Sequence, residues 1–269
     1  MRPRFDDETE ASISAKLPDP ESLWRRILPI NPDVVAFPFE PGDRVPLAAP
    51  CLNDTATVLN EARFALEEAY VRLVWHRVKS PDAPNEYAAV FFGRFYACDV
   101  ALRLYAAGEH LANAIIHLLE LDFDKIERDA EKKRCSLQSL VAKTLQQNMS
   151  DHRVSTLVAT LGQSPEWKKV MDVRNRWVHH QPPMVSGYGL VFMRGTSWKE
   201  FETEKGKGHE LTVGGGDEPE YTIDELVEFT RAASSRFSET LDGILTTYVQ
   251  ILSGHGLKIS DSGRSVLHI

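Results

Sequence analysis

"EYAAVFFGRFYACDVALRLYAAGEHLANAIIHLLEL", residues 86–121, carries the clearest period in the chain. Phe91, Phe95, Cys98, Leu102, Tyr105, Glu109, Ala112, Ile116 and Leu119 recur at alternating steps of four and three. That spacing keeps one face of an α-helix toward a neighbour and predicts a bundle seam. Glu109 is the only charged member of the stripe. A carboxylate in such a place needs a partner or a task.

Working outward, the chain continues in helices. "NDTATVLNEARFALEEAYVRLVWHRVKS" predicts a helix from Asp54, as N-cap, to about Lys79, where "SPDAPN" breaks it. "SLQSLVAKTLQQN" predicts a shorter one. "SPEWKKVMDVRNRWVHHQPP" reads as a helix capped by Ser164, with Pro165 in its first turn and Pro182 and Pro183 stopping it. The last helix opens with a capping box at Thr222, Glu225 reaching back, and runs to about Ser253. Its apolar side is Leu226, Phe229, Ala233, Phe237, Leu241, Ile244, Tyr248 and Leu252.

Two regions differ. Residues 1–50 hold nine of the 15 prolines, so an extended arm is expected, with a short helix near "PESLWRRIL". Trp24, Leu28, Phe37 and Phe39 would pack that arm on the body formed by residues 51–269. Between about 184 and 221, "YGLVFMR", "SWKEFE" and "HELTV" predict short strands joined by glycine turns. The final residues read as loose. The expected architecture is all-α: a bundle of four or five helices with a small β-hairpin or meander insertion before the last helix.

Composition narrows the function classes. With 42% hydrophobic and 26% charged residues the chain reads as globular. A net charge of −8 argues against a surface coated for stoichiometric nucleic-acid binding, though not against a local basic pocket. Cys51, Cys98 and Cys135 lie far apart and form no CxxC pair, which supports neither a disulfide framework nor a zinc knuckle. "MRPRFDDETE" lacks the apolar core of a signal peptide, and no apolar run is long enough to span a membrane, so a cytoplasmic protein is expected. "VGGGDEP" is not followed by the Gly-Lys-Ser/Thr of a phosphate loop, and no G-x-S-x-G or catalytic-cysteine signature occurs. His110 and His117 stand two turns apart without further ligands at a metal-binding spacing, so neither metal nor cofactor is expected. They belong to a polar stripe, with Asp99, Arg103 and Asn113, that reads as a solvated face.

"VRNRWVHHQPP", residues 173–183, is where chemistry gathers. Arginine offers a permanent forked cation suited to phosphate. Histidine can move a proton near neutral pH. Asparagine can orient either neighbour. Together they suit metal-free cleavage of an RNA phosphodiester: the histidine helps the 2′-hydroxyl attack or protonates the leaving oxygen, and the arginine holds the phosphate as charge builds. A purely structural reading competes, since basic residues at a helix C-terminus complement the dipole and cap free carbonyls.

Arg174-Asn175-Arg176-Trp177-Val178-His179 resembles the R-x4-6-H motif of the HEPN superfamily, in the form with a polar residue directly after the arginine. The bundle with its insertion is similar to a Cthe_2314-like subgroup of that superfamily. The resemblance covers about residues 54–253. It implies a helical bundle and a metal-independent endoribonuclease in a defence, toxin or stress-related role. It further implies an RNA substrate, a homodimer with the motifs of two subunits in one cleft, and an antitoxin or regulatory partner. Arg174 and His179 would be catalytic, with Asn175 in support. A HEPN-like module that binds RNA or protein without catalysis is the alternative.

Helix geometry complicates the pairing. At about 100° per residue, Arg174 and His179 point well apart, whereas Arg176 and His180 share a face. Convergence of the first pair calls for the helix to fray or end between them, as the double proline suggests. Glu109 is expected to face the motif and orient Arg174 or His179.

Overall fold

The computed structural model describes residues 3–19, 23, 26, 39, 40, 42–80, 83–121, 137, 141–179, 183–187, 196–204, 206–213, 219–256, 258, 259, 265 and 266. Seven α-helices lie within them: α1 (Asp7–Ser14), α2 (Ala48–Val74), α3 (Glu86–Leu118), α4 (Ala142–Asn148), α5 (Arg153–Gln163), α6 (Pro165–His179) and α7 (Ile223–Gly254). One antiparallel hairpin, β1 (Thr196–Thr203) and β2 (Gly206–Val213), precedes α7. The fold is thus mostly helical with a small insertion, and it holds more helices than four or five.

The long helices α2 and α3 form the most extensive pair. α2 buries Leu52, Ala56, Leu59, Ala62, Leu66, Ala69 and Leu73, one per turn on a single side. α3 buries Ala97, Ala101, Leu104, Gly108, Leu111 and Ile115. This corrects the expected seam in part. Phe91 and Phe95 are 40% and 56% exposed, whereas Cys98, Ala112 and Ile116 of the same stripe are buried, and the core face of α3 extends to the neighbouring small-residue stripe. Alanine and glycine carry a weak hydrophobic signal, yet their small side chains let two helices approach closely. α2 also starts six residues before the expected Asp54, because Pro46 and Pro50 fall in or before its first turn, where no backbone N–H is required. Asp54 is consequently a mid-helix residue, and α2 crosses residue 50 without a break.

The polar stripe of α3 faces α2 and not open solvent alone. Arg103 bonds Asp99 at 3.0 Å and pairs with Glu61 of α2, and His110 lies 4.0 Å from Asp54.

α7 is the central helix, in contact with α2, α3, α5 and α6. All eight expected apolar positions, Leu226 to Leu252, are buried. Its buried threonine and serine hydroxyls bond their own helix: Thr230 donates to the Val227 carbonyl at 2.8 Å and Ser234 to the Thr230 carbonyl at 2.9 Å. The capping box forms as expected, with Glu225 N donating to Thr222 Oγ1 at 3.2 Å and Thr222 N to Glu225 Oε2 at 2.8 Å. Gly243 admits α5 closely; a Cβ there would sit 2.7 Å from Leu157 Cδ1.

α5 was not expected as a separate helix. His152 caps it, its Nδ1 accepting from Val154 N at 3.2 Å, and Val154, Val158 and Leu161 turn inward. Ser164 then caps α6, accepting from Trp167 N at 3.2 Å. The Trp167 indole is fully buried and stacks on Phe237 of α7, ring centroids 5.5 Å apart.

The N-terminal arm is not wholly extended, since Asp6 caps α1. It lies on the body. Phe5 packs edge-on to Trp75 at 6.1 Å, Asp6 pairs with Lys79 at 2.8 Å, Arg26 pairs with Asp242, and Phe39 meets His255 at 4.8 Å. Trp24, Leu28 and Phe37 lie outside the described residues, as do most of "PESLWRRIL" and of the expected strand "YGLVFMR". The tail is not uniformly loose: Lys258–Ile259 pairs antiparallel with Ser265–Val266. No helix among the described residues is long and apolar enough to cross a membrane.

Trp167→Ala removes the largest fully buried side chain at the α6–α7 contact. It should lower stability by about 3–5 kcal/mol, read as a reduced urea midpoint with little change in slope.

Candidate functional site

α6 puts Trp167, Val170, Met171 and Val173 into the core. Arg174, the next residue round, is left half-buried at the boundary, with Asn175 and His179 exposed beyond it. Here Arg174 and His179 do meet. Arg174 Nη1 donates to Asn175 Oδ1 at 2.9 Å and lies 3.4 Å from His179 Nε2.

The expected route to that meeting is corrected. The helix neither frays nor ends between the two residues; His179 is its last residue. Arginine's long side chain crosses the turn instead. Because a guanidinium only donates, a hydrogen bond between the two requires His179 Nε2 to be the accepting nitrogen of the ring.

Tyr105 of α3 is what holds Arg174. The guanidinium carbon lies 3.6 Å from the centre of the phenol ring, a face-on cation–π contact. Arg174 Nε is buried there without a hydrogen-bond partner. No carboxylate among the described residues forms an ion pair with this guanidinium. Glu109 stands one helical turn beyond Tyr105, half-buried, and has bonding of its own. Tyr105 is thus a member of that stripe lying against the motif. The sequence signal for it was its place in the α3 stripe, where it read as core.

Arg176 is differently placed. It makes a two-pronged pair with Glu220, through Nη2 to Oε1 at 2.6 Å and Nη1 to Oε2, and lies 3.8 Å from Asp172. Those hydrogen bonds hold Arg176 above its ordinary pKa and Glu220 below the ordinary carboxylate range. The strictly helical partner of Arg176, His180, lies outside the described residues.

Glu220 belongs to the return of the insertion. Ser186 N donates to the Tyr221 carbonyl at 2.9 Å and Glu220 N to the Met184 carbonyl at 3.0 Å, zipping the insertion's two ends together. The Arg176–Glu220 pair fastens that zipper to the last turn of α6, beside His179. A neighbouring stack, Arg94 of α3 over Trp177 at 5.0 Å, ties the same turn to α3.

The described residues include no group of three or more histidine, cysteine, aspartate or glutamate side chains arranged to hold a metal ion. His117, on α3, has its pKa lowered by burial and then by Arg44, and its Nδ1 is buried without a partner. It is remote in sequence from the motif, and no recorded contact joins it to Arg174 or His179.

α6 separates two grooves. One, of about 880 Å³, lies between α4, α5 and α6 and ends at Asn175; its walls include Gln146, Thr156, Thr160, Gln163 and Lys168. The other, about 650 Å³, lies against α7 and holds Glu166, Glu220, Asp224, Glu225 and Glu228 beside Lys169.

Compared with protein-family models, curated proteins and solved structures, the chain matches none.

Glu220→Gln should destabilise the protein by about 0.5–1 kcal/mol at neutral pH, the scale of a well-formed surface pair. Because folding lowers the Glu220 pKa, this contribution is present above the unfolded-state value of about 4.3 and fades as pH falls through the folded value. Urea unfolding of wild type and variant should therefore differ at pH 7 and converge as acid protonates Glu220 in the folded state.

Proposed function

We propose that this protein is a metal-independent endoribonuclease of HEPN type, working through Arg174, Asn175 and His179. The observation that carries the reading is the 3.4 Å approach of Arg174 Nη1 to His179 Nε2, with Asn175 Oδ1 on the same Nη1, at an exposed helix end. A basic nitrogen and a forked cation within one phosphate's reach are what phosphodiester transesterification needs.

In this reading an RNA phosphate takes the place that the two side chains now share. Contacts of this kind are long without substrate and tighten on it. His179 Nε2, the accepting nitrogen, takes the proton of the 2′-hydroxyl as its oxygen bonds to phosphorus. The bond from phosphorus to the 5′-oxygen breaks, and that oxygen needs a proton. Arg174 neutralises the charge on the phosphoryl oxygens. The face-on ring of Tyr105 steadies the guanidinium without occupying its outer N–H groups. One histidine at one motif supplies one proton transfer. A homodimer that brings a second His179 to the same cleft supplies the other, and an antitoxin or regulator would act by covering it.

The net charge of −8 favours a second reading, a HEPN-like module that binds RNA or protein without cutting. Cleavage of a mixed single-stranded RNA in EDTA separates the two. Wild type should cut, His179→Ala should lose at least 100-fold in rate, the usual scale of a general base, and Arg174→Lys should lose activity because the fork is gone. Equal cutting by wild type and His179→Ala would sink the enzyme reading. Loss with His180→Ala in place of His179→Ala would transfer the role to the other pair.

A further inference from the structure

We infer that the groove between α4, α5 and α6 is the track for the RNA strand that flanks the cut, and that Lys168 binds a backbone phosphate in it. The inference rests on the ribonuclease reading above and adds where the strand lies.

Three observations point there. The groove ends at Asn175, whose side chain touches Arg174, so it leads into the motif. Its walls include the uncharged donors and acceptors Gln146, Thr156, Thr160 and Gln163, which suit sugar 2′-hydroxyls and base edges, and the carboxylate among its lining residues, Asp172, lies 3.8 Å from Arg176. Lys168 stands on its wall, exposed, and among the described residues its ammonium forms no ion pair. Along α6, Lys168 and Asn175 are separated by about 10 Å, at 1.5 Å per residue, so they mark different positions on a strand.

The opposite side of α6 supports the choice by exclusion. Arg77, Arg176 and Arg231 pair with Asp224, Glu220 and Glu228, which leaves Glu166 and Glu225 facing that groove. A polyanion meets repulsion there. Lys169, the lysine among the described residues lining that groove, lies over the Phe229 ring. Two adjacent lysines thus face two different grooves, which makes them a matched pair for a test.

The experiment uses the full chain carrying His179→Ala and a fluorescent single-stranded RNA, with affinity measured across a salt series. Lys168→Gln should weaken binding several-fold and reduce the slope of log K against log salt by about 0.7, one phosphate contact on a single strand. Lys169→Gln should change neither. Ala159→Glu, which adds a carboxylate at an exposed position on the α5 wall, should weaken binding further, with unchanged circular dichroism. DNA of the same sequence should bind more weakly than RNA. If RNA binds but Lys168→Gln and Ala159→Glu leave affinity and slope unchanged, or Lys169→Gln carries the effect, the groove assignment is overturned while the ribonuclease reading stands on its own cleavage assay. If no RNA binds at all, both fall together.

Discussion

The stacking of Trp167 on Phe237 is the contact from which the site's geometry descends. α7 buries half of its residues, and the threonines and serines among them bond back into their own helix. α6 is a short helix docked on that core. The tryptophan fixes its depth and rotation, since a fully buried indole has no second place to go. With the rotation set, Val173 points inward, Arg174 falls at the boundary against Tyr105, and Asn175 and His179 face outward.

Two arginines two residues apart then acquire opposite roles. Arg176 is neutralised by Glu220 in a two-pronged pair and serves as a fastener between α6 and the base of the insertion. Arg174 is held by a ring face. A cation–π contact restrains the guanidinium, and among the described residues Arg174 forms no ion pair. That contrast leaves Arg176 in a two-pronged ion pair and Arg174 with Asn175 and His179 at its Nη1. It also explains the half-satisfied state of Arg174, whose Nε is buried against α3 without a partner. Such an arrangement costs stability and is of the kind found where function outweighs packing.

Much of the fold was legible in the residues. The capping box at Thr222, the Ser164 cap with Pro165 behind it and the α7 stripe all reappear as read, because each is a local pattern with a local physical cause. The misreadings have causes too. α5 was passed over because its start depends on a histidine acting as N-cap, outside the usual set of capping residues. α2 was started late because prolines in a first turn resemble prolines in a loop. The α3 seam is read too narrowly because part of its buried face is alanine and glycine, while the large aromatics that draw attention, Phe91 and Phe95, lie on the surface.

By itself, the sequence determined that this is a helical chain with a small β insertion, and that arginine, asparagine and histidine gather at the end of one helix. These follow from periodicity and spacing, which act within a few turns. Only the tertiary structure shows that Arg174 reaches His179. Helix angles favour Arg176 with His180, which lies outside the described residues; Glu220 engages Arg176, while Arg174 lies over Tyr105 with its Nη1 3.4 Å from His179 Nε2. Those partners come from positions about 44 residues later and 69 residues earlier, and no local pattern links them to the motif.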